Sequence, residues 1–216
     1  MSEKRISRRN LLLATAAGAA AAPLVATTPA WAATPKLYID PGHGGTDPGA
    51  VANGLREKDL TLKIALRMRS YLLDHWYVYI RMSRTTDATR SLSYRASDAN
   101  SWGANRFVSI HINSGGGSGF ESYRYPGTSG TTYNMHSTLH STVYDWMTRN
   151  HSPLDRGMKT ADFYVLRETN MPAVLTENLF IDTYLDSERL KSDTFLWNVA
   201  KGHAFGMARH MGLVHR

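Results

Sequence analysis

Residues 37–43 read Leu37-Tyr38-Ile39-Asp40-Pro41-Gly42-His43, an apolar run halted by Pro-Gly with a histidine just past the stop. Consecutive apolar positions bounded by a turn signal are what a buried strand looks like. A second run, Phe107-Val108-Ser109-Ile110-His111, also finishes on a histidine. Between the two runs the period changes. From Glu57 onward, Leu60, Ile64, Leu66, Met68, Tyr71 and Leu72 fall on one broad face of a helix. Glu57 opens that helix, where the dipole favours a carboxylate. Val78, Ile80 and Met82 then alternate with polar residues as in a strand. Helical stretches are expected at 90–103, 134–150 and 194–211, and strands at 120–125, 163–166 and 173–176. Strands alternating with helices predict a single α/β domain, a twisted, mostly parallel or mixed sheet flanked by helices. In such sheets ligands bind beyond the carboxyl ends of the strands.

The first 32 residues stand apart from this pattern. Lys4, Arg5, Arg8 and Arg9 precede an Ala-rich apolar stretch, and Ala30-Trp31-Ala32 follows it, which is the layout of an export signal. Ser7-Arg8-Arg9-Asn10-Leu11-Leu12 adds a twin-arginine signature. The apolar stretch carries Pro23 and is shorter than the ~20 residues a membrane span needs. The expected organisation is therefore an export signal over 1–32, a short linker over 33–35 and a catalytic domain over 36–216. The exported protein would keep no stable membrane anchor and would act as a monomer in the periplasm, the cell wall or the medium.

Composition narrows the chemistry. The 216 residues are 42% hydrophobic and 20% charged, enough to bury a core. The net charge of +7 falls to about +4 without residues 1–32, which suits an anionic polymer. No basic cluster interleaved with aromatics marks a nucleic-acid module. There is no cysteine, so disulfides, thiolate metal sites and catalytic thiols are excluded. Any metal must be held by His, Asp or Glu.

His43 and His111 follow two buried strands, and Glu57 enters from the helix after the first of them. The Gly-rich loop between His43 and Glu57 lets both face one point. Two imidazoles and one carboxylate are a catalytic zinc set that leaves one position for water. Residue types alone leave a second reading open, in which the histidines are hydrogen-bonded structural groups and Glu57 caps its helix. On spacing alone that reading is the commoner one. Glu177 ends the apolar run Ala173-Val174-Leu175-Thr176; beside a metal it would serve as a general base, while on residue type alone a salt-bridged strand-end carboxylate is the commoner reading.

The ordered set of short motifs goes further. Ile39-Asp40-Pro41-Gly42-His43-Gly44-Gly45, Asp47-Pro48-Gly49-Ala50 and Glu57-Lys58 resemble the opening of the zinc-dependent N-acetylmuramoyl-L-alanine amidases of the type 3 family. The resemblance continues through Ser83-Arg84-Thr85-Thr86-Asp87, Arg95, Ala99-Asn100 and Phe107 to Asn113. Arg156-Gly157-Met158-Lys159, Tyr164 to Arg167 and Met171 to Glu177 complete it, so nearly all of 36–210 is covered. It implies one zinc ion per chain on His43, Glu57 and His111, with Glu177 as the catalytic carboxylate. The implied substrate is peptidoglycan, at the amide joining N-acetylmuramic acid to L-alanine. Asn113 and Arg167 would contact substrate or brace the site.

Two departures from the family pattern stand out. Asn178-Leu179-Phe180 follows Glu177 where many relatives place a Gly before the Phe, and no extra segment between Phe120 and the helix at Asn134 is long enough for a blocking helix. The alternatives are a zinc peptidase or carboxypeptidase acting within the stem peptide, and a wall-binding module without catalysis. His136 and His140, at i and i+4, are expected on a solvated helix face. His75, His151, His203, His210 and His215 carry no expected role.

Overall fold

The computed structural model describes residues 34–216, so the expected export signal over 1–32 lies outside the described residues. In chain order the elements are β1 (Lys36–Pro41), β2 (Val51–Ala52), β3 (Leu55–Arg56), α1 (Glu57–His75), β4 (Tyr79–Met82), α2 (Leu92–Trp102) and β5 (Arg106–Asn113). There follow β6 (Phe120–Arg124), α3 (Thr131–Met147), β7 (Asp155–Thr160), α4 (Tyr164–Arg167), β8 (Ala173–Phe180), α5 (Tyr184–Lys191) and α6 (Asp193–Met211). Six strands form one sheet in the order β4-β1-β5-β8-β6-β7. The first four run parallel, β6 is antiparallel to β8, and β7 is parallel to β6. The expected α/β sheet flanked by helices is therefore present, in its mixed form.

Strand alternation divides the side chains between two unequal layers. Leu37 and Ile39 of β1, Val108, Ile110 and Ile112 of β5 and Val174 of β8 join a large core with α1, α3 and α6. The intervening Tyr38, Phe107, Ala173 and Leu175 join a small core under α2 and α4. Because side chains alternate with a period of two, Asp40, Ser109, His111 and Glu177 also face the thinly covered layer. That single periodicity brings polar groups from three neighbouring strands to one surface, and the short cover of α2 and α4 leaves room above it.

The helices follow from their sequences. In α1, Leu60, Ile64, Ala65, Met68 and Leu72 are buried at helical spacing, with Glu57 and Asp59 in the first turn and His75 in the last. Ser91 and Ser192 cap α2 and α6, accepting from Tyr94 N at 3.1 Å and Phe195 N at 3.3 Å. Among the described residues no helix is long and apolar enough to cross a membrane.

Several expectations are corrected. Residues 163–166 form no strand: Leu166 N and Arg167 N both donate to Phe163 O, closing the turn of α4, which sinks Val165 and Leu166 into the small core. A four-residue apolar run fits either period, and here the local turn covers sheet that a strand would leave bare. The helix expected at 134–150 runs from Thr131 to Met147. His136 and His140 are buried, not solvated. Ser122 Oγ lies 2.7 Å from His136 Nε2 and 2.7 Å from His140 Nδ1, while His140 Nε2 lies 3.0 Å from Asp155 Oδ1. These contacts tie α3 to β6 and β7, and burial holds the His136 imidazole down at about 4. His203 likewise has a structural role: it is fully buried, its Nδ1 bonds to Val199 O, and its Nε2 lies 2.9 Å from Thr176 Oγ1.

Candidate metal centre and active site

His43 sits just past β1 with φ 60, in the left-handed region. Its backbone is pinned by Arg95, whose Nη2 donates to His43 O at 2.8 Å, and its ring by Asp47, whose Oδ2 lies 2.8 Å from Nδ1. An acceptor on Nδ1 fixes the tautomer and leaves Nε2 free to face Glu57 Oε2 at 3.2 Å. Glu57, buried at the start of α1, is held at both oxygens. Ala50 N donates to Oε2 at 3.0 Å and Ile112 N to Oε1 at 3.0 Å. The same Oε1 lies 3.0 Å from His111 Nδ1.

The three residues brought together are those the sequence points to: one donor atom from each of His43, Glu57 and His111 lies within 4.8 Å of the others. The cluster is one that can hold a metal ion. Its electrostatics favour positive charge. Burial opposes protonation of His43, but the Glu57 carboxylate and then Asp47 outweigh it and push the imidazole up to about 9. His111 is raised as well, burial being outweighed by Glu57 and Glu177. Burial would raise Glu57, yet both imidazoles hold it far below the usual carboxylate range.

Two glycines make the approach possible. A Cβ on Gly42 would fall 2.3 Å from His111 Cε1, and one on Gly49 would fall 2.6 Å from Glu57 Oε2. Neither position admits a side chain without displacing one of the three.

Glu177 lies beside them, paired in register with His111 on β5 and with Glu121 on β6. Its Oε2 is buried without a hydrogen-bond partner among the described residues. Burial, with the charges of Glu57 and Glu121 and against that of His111, pushes its carboxyl up to about 7. Its neighbour Glu121 is opposite in character. It accepts from Arg156 Nε at 2.7 Å, Asn113 Nδ2 at 2.8 Å, Tyr123 OH at 2.6 Å and from Lys159 Nζ. Despite burial, these partners hold it at about 2. Two adjacent carboxylates are thus pushed apart, one fixed as an anion and one able to exchange a proton near neutrality. A cavity of about 510 Å³ opens over His43, His111 and Glu177, and Arg90, Leu92 and Phe163 also line it.

Some members of the site carry no role in the sequence reading. Asp40, 1% exposed, accepts from Arg95 Nη1 at 2.6 Å, Ser83 Oγ at 2.6 Å and Ser109 Oγ at 2.8 Å, forming a buried ion pair under the His43 loop. Asn178 Nδ2 donates to His111 O at 2.9 Å and so fixes the strand that carries that ligand candidate. The available signal is a charged residue at the end of an apolar strand, which must find a partner when buried. Of the two residues expected to touch substrate or brace the site, Asn113 braces Glu121, whereas Arg167 pairs with Asp162 and Glu168 outside the cavity lining. The departure at Leu179 has a visible consequence: this buried leucine holds φ 72, where the β5–β8 register shifts between His111 and Asn113. Burial of the leucine in the large core offsets the strain of this left-handed backbone.

The chain is also similar to known proteins. A family profile described as N-acetylmuramoyl-L-alanine amidase matches residues 37–209. The amidase CwlM of Bacillus licheniformis is 51% identical over 179 residues, covering 82% of this chain and 69% of its own length. An endolysin of Bacillus phage SPP1 is 46% identical over 180 residues, covering 82% of this chain and 66% of its own. The catalytic domain of the amidase CwlV from Bacillus (Paenibacillus) polymyxa superposes with a TM-score of 0.78 at 30% identity, covering 84% of this chain and 100% of that domain. The chain belongs to the N-acetylmuramoyl-L-alanine amidase family.

Proposed function

We propose that this amidase uses one zinc ion held by His43, Glu57 and His111, with Glu177 as the catalytic carboxylate. The bond hydrolysed is the amide between the lactyl group of N-acetylmuramic acid and the L-alanine of the peptidoglycan stem. The observation that carries the reading is the convergence of three donor atoms within 4.8 Å beside a buried, unpartnered carboxylate oxygen. The donor set suits zinc: two imidazoles, one carboxylate and no thiolate, leaving a fourth position open. The orphaned Glu177 Oε2 is a second fit, because a buried carboxylate oxygen calls for a polar partner.

Bound there, zinc supplies Lewis acidity toward the amide carbonyl and lowers the pKa of water toward neutrality. The remaining work falls to the chain. Asp47 and the backbone N–H of Ile112 and Ala50 keep His43 and Glu57 oriented before metal arrives. Glu177 takes a proton from the attacking water and returns it to the departing L-alanine nitrogen, which its poise near neutrality permits. A bound dication would bring this raised carboxyl down, so the acid limb of the pH–rate profile is expected at or below about 7.

Digesting purified sacculi tests the function. Release of stem peptides beginning at L-alanine is expected; ends generated inside the peptide would favour the peptidase, and binding without release the inactive module. Action at the wall follows export through residues 1–32, by a monomeric enzyme.

Two predictions concern the metal. Gly42→Ala is expected to weaken zinc binding by about 10–100-fold, since its Cβ would overlap the His111 ring; competition with a chromogenic chelator reads this. The second concerns protons. Metal-free His43 is protonated below about 9, and a ligand must be neutral, so zinc binding at pH 7 releases protons and tightens as pH rises. Calorimetry in buffers of different ionisation enthalpy should count one to two protons released, and zero would contradict the ligand assignment.

A further inference from the structure

Among the described residues, one arginine in the cavity has no acid to neutralise it. Arg90 is exposed and lines the same cavity as His43, His111 and Glu177. Its side chain is nevertheless held in place. Nε donates to Ser83 O at 3.0 Å, Nη1 to Thr89 O at 3.4 Å, and the guanidinium carbon lies 4.8 Å from the centroid of the Tyr94 ring. These contacts leave Nη2 without a partner among the described residues. The backbone is fixed as well. Arg90 O accepts from Arg95 Nε at 3.2 Å, and Nη2 of the same Arg95 donates to His43 O at 2.8 Å. One buried guanidinium therefore sets the spacing between Arg90 and a metal-ligand candidate. The lining aspartates are already engaged, Asp47 by His43 and Gly49, and Asp40 by Arg95 and two serines. An exposed arginine usually loses conformational freedom when it binds, and one ordered beforehand loses less.

We infer that Arg90 binds the first free carboxylate of the stem peptide, on the residue that follows L-alanine, and makes the enzyme prefer acidic over amidated stems. The inference rests on the amidase reading above and adds a specificity determinant to it. With the scissile amide beside Glu177, the chain passes through L-alanine to a γ-linked glutamate whose α-carboxylate is free or amidated. Each residue spans about 3.3–3.6 Å, so that carboxylate lies within one or two residues of the reacting carbon. A cavity of about 510 Å³ accommodates such a fragment, with Leu92 and Phe163 against its methyl and methylene groups. A carboxylate accepts a charge-assisted hydrogen bond from Nη2 and neutralises the guanidinium, whereas an amide is neutral and gains no charge assistance from its own side.

The test uses glycan chains with tripeptide stems in two forms, identical except that the second residue carries an α-carboxylate or an α-amide. For the zinc-loaded enzyme, kcat/KM is expected to favour the acid form by about tenfold or more. In Arg90→Gln the ratio of the two should fall to near one, chiefly through KM, and Arg90→Lys should keep a reduced preference. Equal turnover of both forms by the parent enzyme, or an unchanged ratio in Arg90→Gln, overturns the inference and leaves the amidase reading standing. Release of peptide from neither form overturns the amidase reading instead.

Discussion

Glu177→Gln is expected to lower kcat by about 10²–10⁴-fold while the purified protein keeps its zinc. Glutamine preserves the shape of the side chain beside His111 but neither takes nor returns a proton. The same substitution has a second consequence in the metal-free protein. The folded carboxyl titrates at about 7, above the ordinary 4.5 of glutamate, so the folded state holds a proton that the unfolded state has lost between those values. Stability contributed by the protonated group is complete below about 4.5, falls as pH rises, and is gone above about 7. The parent therefore loses about 1–3 kcal/mol between pH 4 and pH 8 that Glu177→Gln does not lose. Denaturant unfolding of both metal-free proteins at the two pH values reads the difference. Full activity in the variant would remove Glu177 from the mechanism, and parallel pH curves would show that the carboxyl is not held neutral.

Breaking the buried pair beneath the site is expected to have the largest effect on stability. Asp40 and Arg95 are 1% and 3% exposed, and Arg95 also bonds the carbonyls of Pro41, His43 and Arg90. Arg95→Met leaves the aspartate charge buried among two serine hydroxyls, and such a loss costs about 3–5 kcal/mol. For a chain of this length the fall in Tm is on the order of 10 °C. Zinc affinity should drop with it, because the carbonyl that anchors His43 loses its donor. A loss below about 1 kcal/mol would mean that the pair is not holding the loop.

Much of this architecture can be read from strand and helix periods. Leu37–Ile39 and Phe107–His111 are apolar enough to be recognised as buried strands, and alternation along them already places Asp40, His111 and Glu177 on one face. Helix α1 shows through its apolar face and acidic first turn. What periodicity misses is polar structure that becomes buried through partners distant in sequence. Strand β7, Asp155–Thr160, has no apolar pattern because its side chains are mostly polar and partly exposed. His136 and His140 look like a wet helix face until Ser122 and Asp155 arrive from other strands to satisfy them. The ligand candidates lie in the same category. Spacing alone leaves His43, Glu57 and His111 as ordinary polar residues, and the ordered family motifs single them out. Their convergence depends on the hydrogen bonds of Asp47, Ala50 and Ile112, which no local pattern encodes.

A crystal of the zinc-loaded protein, measured on both sides of the zinc absorption edge, tests the metal assignment most directly. One anomalous peak is expected, with His43, Glu57 and His111 each about 2.0–2.2 Å from it and Glu177 facing its remaining position. A peak bound by other residues, or an active protein with no peak and no measurable zinc, would contradict the assignment.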